Sequence, residues 1–204
     1  KWEKSSLSIN AAYINLAPYT AVFPDRNDWL KPFEALSGET VFRRQFENGL
    51  LKVYAAFDAT NFDLIQEDID FSNGIRYYLK NHNLYSNASY SGTLSNNWKI
   101  FGGASYTYAN SNLEIFEGEV VDVENSAHLK VKLRKHFSSR FKLSFGGEQF
   151  LTNFNEDFIG EKMDATYGYN TNISGIFSEA DIIFSRKFAM KLGLRGEYSD
   201  LFEE

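Results

Sequence analysis

The chain lacks cysteine altogether, so disulfide frameworks and thiolate metal centres are excluded. Proline is scarce, with 3 residues in 204, and all of them (Pro18, Pro24 and Pro32) fall within one short stretch near the start. No run of about 18 apolar residues occurs, which excludes a transmembrane helix. Mean hydropathy is negative. Cationic surplus is also missing: the formal net charge is -6, so the overall balance gives no reason to expect a nucleic-acid partner. There is no nucleophile elbow, phosphate loop or dinucleotide fingerprint, so neither an enzyme nor a bound cofactor is expected.

Aromatic residues are plentiful, at 17 %, with 19 Phe and 12 Tyr. They are dispersed among polar residues with a period of two. In Ala127 to Phe137, the residues Ala127, Leu129, Val131, Leu133 and Phe137 alternate with His128, Lys130, Lys132, Arg134 and His136, and Lys135 is the exception. A strand sends successive side chains to opposite faces, so one face is apolar and the other cationic. The same alternation marks Phe141 to Glu148, Trp98 to Tyr108, Leu84 to Leu94 and Phe188 to Ser199. It is weaker over Ser6 to Leu16, Glu39 to Phe46, Leu51 to Asn61 and Thr171 to Ser185. The last of these loses its pattern near Glu179 and Asp181, which predicts a bulge or strand end.

Short connections fall at Glu47-Asn48-Gly49, Ser95-Asn96-Asn97, Ser138-Ser139 and Arg186-Lys187, and they read as hairpin turns. Between them lie the longer stretches 17–38, 62–83, 110–125 and 153–169, expected as loops and holding the prolines where no ladder needs a donor. Strands of roughly 9 to 14 residues exceed the soluble mean of about 5–6 and suit a membrane crossing of about 9–11. Short turns on one side and long loops on the other are the asymmetry of outer-membrane β-barrels. The expected fold is therefore an all-β antiparallel transmembrane barrel sheet over residues 1–204, with short periplasmic turns, long extracellular loops and no plug domain. Its count of about nine strands is odd. Bacterial barrels close with an even number, so this sheet is expected to be completed by further strands.

The residues also resemble a known family. Tyr13-Ile14-Asn15-Leu16-Ala17-Pro18-Tyr19, followed by Asp28-Trp29 and Ser37-Gly38-Glu39, is similar to barrel sequence of TonB-dependent outer-membrane receptors of the Bacteroidota. So are Gly49-Leu50-Leu51-Lys52-Val53-Tyr54 with Phe57 and Asn61-Phe62, and the Tyr-, Ser- and Gly-rich hairpin Leu84 to Asn110. The resemblance implies a barrel of about 22 strands around a plug. It also implies import of a scarce ligand (metal chelate, vitamin or oligosaccharide) across the Gram-negative outer membrane. The partners implied are membrane lipid, the rest of the barrel and plug, an inner-membrane energy-coupling complex reached through the plug, and possible surface lipoproteins. A complete small barrel of about eight to ten strands, acting as an anchor, adhesin or passive porin, is the alternative.

Two residue sets stand out as candidate sites. The first is the cationic ladder His128, Lys130, Lys132, Arg134 and His136. It is expected to face the lumen, since each charge turned to lipid at midplane costs about 2–4 kcal/mol. It can meet a plug or an anionic ligand there, or simply pair with acids of neighbouring strands such as Glu148. The second is an aromatic girdle of Trp98, Tyr106, Tyr108, Tyr169 and Tyr198, with Trp2 and Tyr167, near strand ends. His128 and His136 stand eight residues apart on one face, about 27 Å by strand rise, so they cannot share a metal ion. The acids Glu67, Asp68, Asp70, Glu114, Glu117, Glu119, Asp122, Glu124, Glu156, Asp157 and Glu161 are expected as solvated loop residues.

Overall fold

A computed structural model describes residues 4–23 and 27–200. Nine strands follow one another in chain order and pair as a single antiparallel meander: β1 (Ser5–Asn15), β2 (Asn27–Phe46), β3 (Gly49–Gln66), β4 (Ile75–Thr93), β5 (Trp98–Ile115), β6 (Gly118–His136), β7 (Phe141–Ile159), β8 (Asp164–Ile183) and β9 (Ala189–Ser199). One short helix, α1 (Ala17–Val22), follows β1. The sheet does not close: among the described residues β1 pairs only with β2, and β9 only with β8.

The four short links are turns. Between β4 and β5 the left-handed conformation falls on Asn96 and Asn97, at φ 56° and 62°, a backbone that asparagine tolerates better than most residues. The opposite end differs from expectation. Much of the four stretches anticipated as loops is strand, and β2 to β8 run for 18 to 20 residues. The connections left there are the segment between β1 and β2 that holds α1, 67–74 between β3 and β4, the two-residue Phe116-Glu117 turn, and 160–163 between β7 and β8. Lipid sets the sense of the alternation, with apolar residues outward. Beyond the apolar band the outward positions turn mostly polar (Asp63, Tyr78, Glu114, Glu119, Asp164) and the inward row is Phe62, Leu79, Leu113, Val120, Phe158 and Ala165, so the sense of the alternation changes while the strand continues.

Of the three prolines, Pro18 begins α1, where its missing donor is harmless. Pro32 lies inside β2, at the register shift between Lys31 and Glu34, which frees the sheet from the hydrogen bond proline cannot make. Pro24 and Trp2 lie outside the described residues. The irregularity expected at Glu179 and Asp181 is absent. Both pair in continuous register with β7 and β9, and the bulge belongs to β2 instead.

Cross-strand partners share a face, so the register sorts every side chain. One row across the sheet is Leu7, Phe42, Val53, Ala88, Ala104, Leu129, Gln149, Ser174 and Tyr198. The row displaced six residues along β1 is Tyr13, Leu36, Ala59, His82, Asn110, Val123, Asn155 and Gly168. The first is apolar from β1 to β6 and polar after it. The second turns mainly polar already at β4. The upper edge of the apolar band therefore cuts obliquely through the hydrogen-bond rows, from Tyr13 on β1 to Tyr198 on β9. Six residues of rise over eight interstrand steps, at about 3.3 and 4.8 Å each, correspond to strands tilted by roughly 30°. Barrel strands tilt in this way.

There is no hydrophobic core: among the described residues no apolar side chain is fully buried. Leu129 and Val131 are 50 % and 54 % exposed, Ile176 73 % and Leu194 82 %. The least exposed polar residues, Ser144 and Glu148, lie on the other face. This inverts a water-soluble protein and suits a sheet whose apolar face is solvated by lipid.

Candidate functional site

The opposite face carries the cationic ladder. His128, Lys130, Lys132, Arg134 and His136 share it with Lys99, Ser144, Glu148, Gly175, Glu179, Asp181, Lys191 and Arg195, as the register requires. Glu148 is its hub. The Lys130 ammonium donates to one carboxylate oxygen at 2.7 Å, and the His128 ring lies 3.4 Å from the same oxygen while stacking on Phe150 at 4.0 Å. The Arg195 guanidinium on β9 donates to the other oxygen, reaching across β8. That reach depends on Gly175, whose absent Cβ would sit 3.1 Å from the guanidinium.

Nearer the turns, Arg134 donates to Ser144 at 2.9 Å and to Asp181 at 2.6 Å, and lies 3.8 Å from Glu179. Lys191 pairs with Glu179 at 2.9 Å. These bridges knit four strands, and Arg134 and Arg195 each span an intervening one. Among the described residues Lys132 joins no ion pair, and the His136 Nε2 has no hydrogen-bond partner. The ladder thus contains paired members and a free one. The acids on β8 escaped the sequence reading because Glu179 and Asp181 looked like a break. Their i, i+2 spacing opposite Lys191 and Gly193 was the usable signal.

On the apolar face, Trp98, Tyr106, Tyr108 and Tyr198 share the outward parity of Leu129 and Val131. Tyr106 donates to Asn125 at 2.9 Å, just where the face becomes polar. Lys135, the exception to the alternation, is outward too. It lies beside the Trp98 ring at 5.1 Å and donates to the Asn96 carbonyl, so its charge leaves the band at the turn end. Phe46 against Tyr90, Trp98 against Phe145, Phe137 against Phe141 and Phe184 against Phe188 mark the turn-end rim.

Tyr169 is a correction. It pairs with Phe154 in the register and packs on it at 5.4 Å, on the charged face with Tyr167. The outward residues beside it are Gly168 and Asn170, so Tyr169 is not part of the girdle. Most of the acids expected in loops lie on strands. Glu114 is on β5, Glu119, Asp122 and Glu124 on β6, and Glu156 and Asp157 on β7. Only Glu67, Asp68, Asp70, Glu117 and Glu161 sit in connections. Among the described residues no three metal-ligating side chains converge.

No protein-family model matches the chain, and no curated protein matches it in sequence. Solved structures do. The alcaligin outer-membrane receptor FauA of Bordetella pertussis superimposes with a TM-score of 0.70 at 10 % identity, over 95 % of this chain. The fold is that of an outer-membrane β-barrel. The barrel sheet described here spans 31 % of the receptor's chain, well under half its length. A looser superposition, TM-score 0.41 at 10 % identity, covers 97 % of the sheet and 81 % of the β-domain of the Bordetella autotransporter BrkA. With its lipid-facing band, the barrel sheet belongs to the Gram-negative outer membrane.

Proposed function

We propose that the chain is part of the barrel wall of a TonB-dependent receptor that imports a scarce ligand such as a metal chelate, vitamin or oligosaccharide. The observation that carries this reading is the open nine-stranded sheet, tilted and two-faced, whose β1 and β9 edges each lack a neighbouring strand among the described residues. Unpaired backbone groups in lipid cost several kcal/mol each, so further strands must close the wall. A barrel of about 22 strands, the size of such a receptor, encloses a lumen filled by a plug. The superposition on about a third of FauA supports a barrel of that size, and the sequence resemblance supports the energised class. The Bacteroidota affinity rests on that resemblance alone.

In this role the chain performs no catalysis. It supplies a rigid wall, with lipid outside and a polar surface for plug and ligand inside. Energy reaches the ligand through the plug, from an inner-membrane complex, and a surface lipoprotein is a compatible lid. The test is the intact mass of the native polypeptide purified from outer membranes, followed by ligand uptake with and without a protonophore. A mass several-fold above 23.4 kDa and uptake abolished by the protonophore are expected. A native mass near 23.4 kDa, or uptake indifferent to the protonophore, overturns the receptor reading.

A further inference from the structure

The charged face is balanced on one side of the sheet and not on the other. The row through Glu148 is Ser6, Arg43, Lys52, Ser89, Gly103, Lys130, Glu148, Gly175 and Glu197. From β6 to β9 the cations Lys130, Arg134, Lys191 and Arg195 are matched by the acids Glu148, Glu179, Asp181 and Glu197, and Lys142, which makes no ion pair with a described residue, stands directly opposite Asp181. From β2 to β6, at the same turn end, Arg43, Lys52, Lys99 and Lys132 make no ion pair with a described residue. Their neighbours in the rows are Ser89, Ser91, Thr93, Phe101 and Gly103. Arg43 stands directly opposite Lys52, and Lys99 directly opposite Arg134.

Like charges directly opposite each other destabilise a sheet. The wall neutralises its charges within itself where acids are supplied on β7 to β9, and supplies almost none here. Lys99, Phe101, Ser91 and Lys132 border a groove of about 560 Å³, which a single acid, Glu47, flanks from the β2–β3 turn. The patch reaches from β2 to β6, four strand spacings or about 19 Å. That is too wide for one small anion and fits an extended acidic surface.

We propose that this turn-end patch docks an acidic face of the domain seated in the lumen. The identity of that occupant rests on the receptor reading above; its charge rests on the patch alone. Docking is electrostatic and exposed to water, so it weakens as salt screens it. It also gives that domain a defined orientation, with its acidic face towards β2 to β6 and its neutral sides towards β7 to β9.

The test uses the full-length protein in outer membranes, with a photo-crosslinking amino acid at Ser91. The expected adduct is intramolecular and maps to a peptide rich in Asp and Glu. Its yield falls about tenfold in the triple variant Lys52→Glu, Lys99→Glu, Lys132→Glu, whose folding is verified by heat-modifiable gel mobility. Reversing the acids of the captured peptide in that background restores the yield. A yield indifferent to charge reversal, or no adduct from a folded barrel, overturns the docking and leaves the receptor reading intact. An adduct to a separate acidic polypeptide overturns the named occupant and the receptor reading together.

Discussion

Replacing Val131 by arginine separates a lipid-facing sheet from a water-soluble one. Val131 is 54 % exposed. It lies at the middle of the apolar run of β6, between Ala127 and Lys135, and its row neighbours are Gly102 and Gly147. In water an exposed Val→Arg on a strand is close to neutral, within about 0.5 kcal/mol. In a bilayer an arginine on the lipid face at midplane costs about 2–4 kcal/mol, falling to about 0–1 near the interface. The expected loss for Val131→Arg is therefore roughly 30- to 1000-fold in the folding constant, at 1.4 kcal/mol per tenfold. Ala127→Arg, two positions along the same face where Tyr106 already meets Asn125, is expected to cost about 0–1 kcal/mol. The assay is reversible urea unfolding of the complete barrel in phospholipid vesicles, read by tryptophan fluorescence. Equal and near-zero costs at both positions would refute the inside-out assignment, because depth dependence requires lipid against that face.

Glu148→Gln removes the carboxylate shared by Lys130, His128 and Arg195. It is expected to cost about 1–3 kcal/mol, since its cations stay partly hydrated, and a double-mutant cycle with Lys130→Met measures the coupling. Gly146→Ala would push a Cβ into the Val131 carbonyl and the Phe177 ring. It is expected to lose about 1–3 kcal/mol in the same unfolding assay, whereas Gly102→Ala meets nothing within 4 Å and should be tolerated. At the membrane-distal connections, a hydrogen bond from Glu117 to Glu161, with the repulsion between the two carboxylates, raises the Glu117 pKa above its ordinary value. A raised folded-state pKa means the contact is held at acid pH and lost as pH rises through that value. Carboxyl NMR of the barrel should show Glu117 titrating above the ordinary glutamate range, and Glu161→Gln should bring it down.

The strands and their faces were legible in the residues wherever lipid imposes alternation. Ala127 to Phe137 declares one apolar and one charged face, and the four short turns carry their own asparagine, glycine and serine signals. The exclusion of a transmembrane helix and of thiolate chemistry also follows from the sequence alone. Where lipid no longer selects side chains, the apolar-outward pattern ends, and apolar residues such as Phe62, Leu79, Leu113 and Phe158 sit inward. The outer halves of β2 to β8 therefore looked like loops, although backbone pairing carries them on for 18 to 20 residues. Tyr169 takes the inward face for the same reason: Ala165, Tyr167 and Tyr169 still alternate with Thr166, Gly168 and Asn170, but outside the lipid the apolar side is the inner one. Only the tertiary register decided that Arg134 reaches Asp181 across β7 and Arg195 reaches Glu148 over Gly175, because partners 47 residues apart become neighbours only when three strands lie side by side. The charge imbalance between β2–β6 and β7–β9 is likewise a property of rows and not of any one strand.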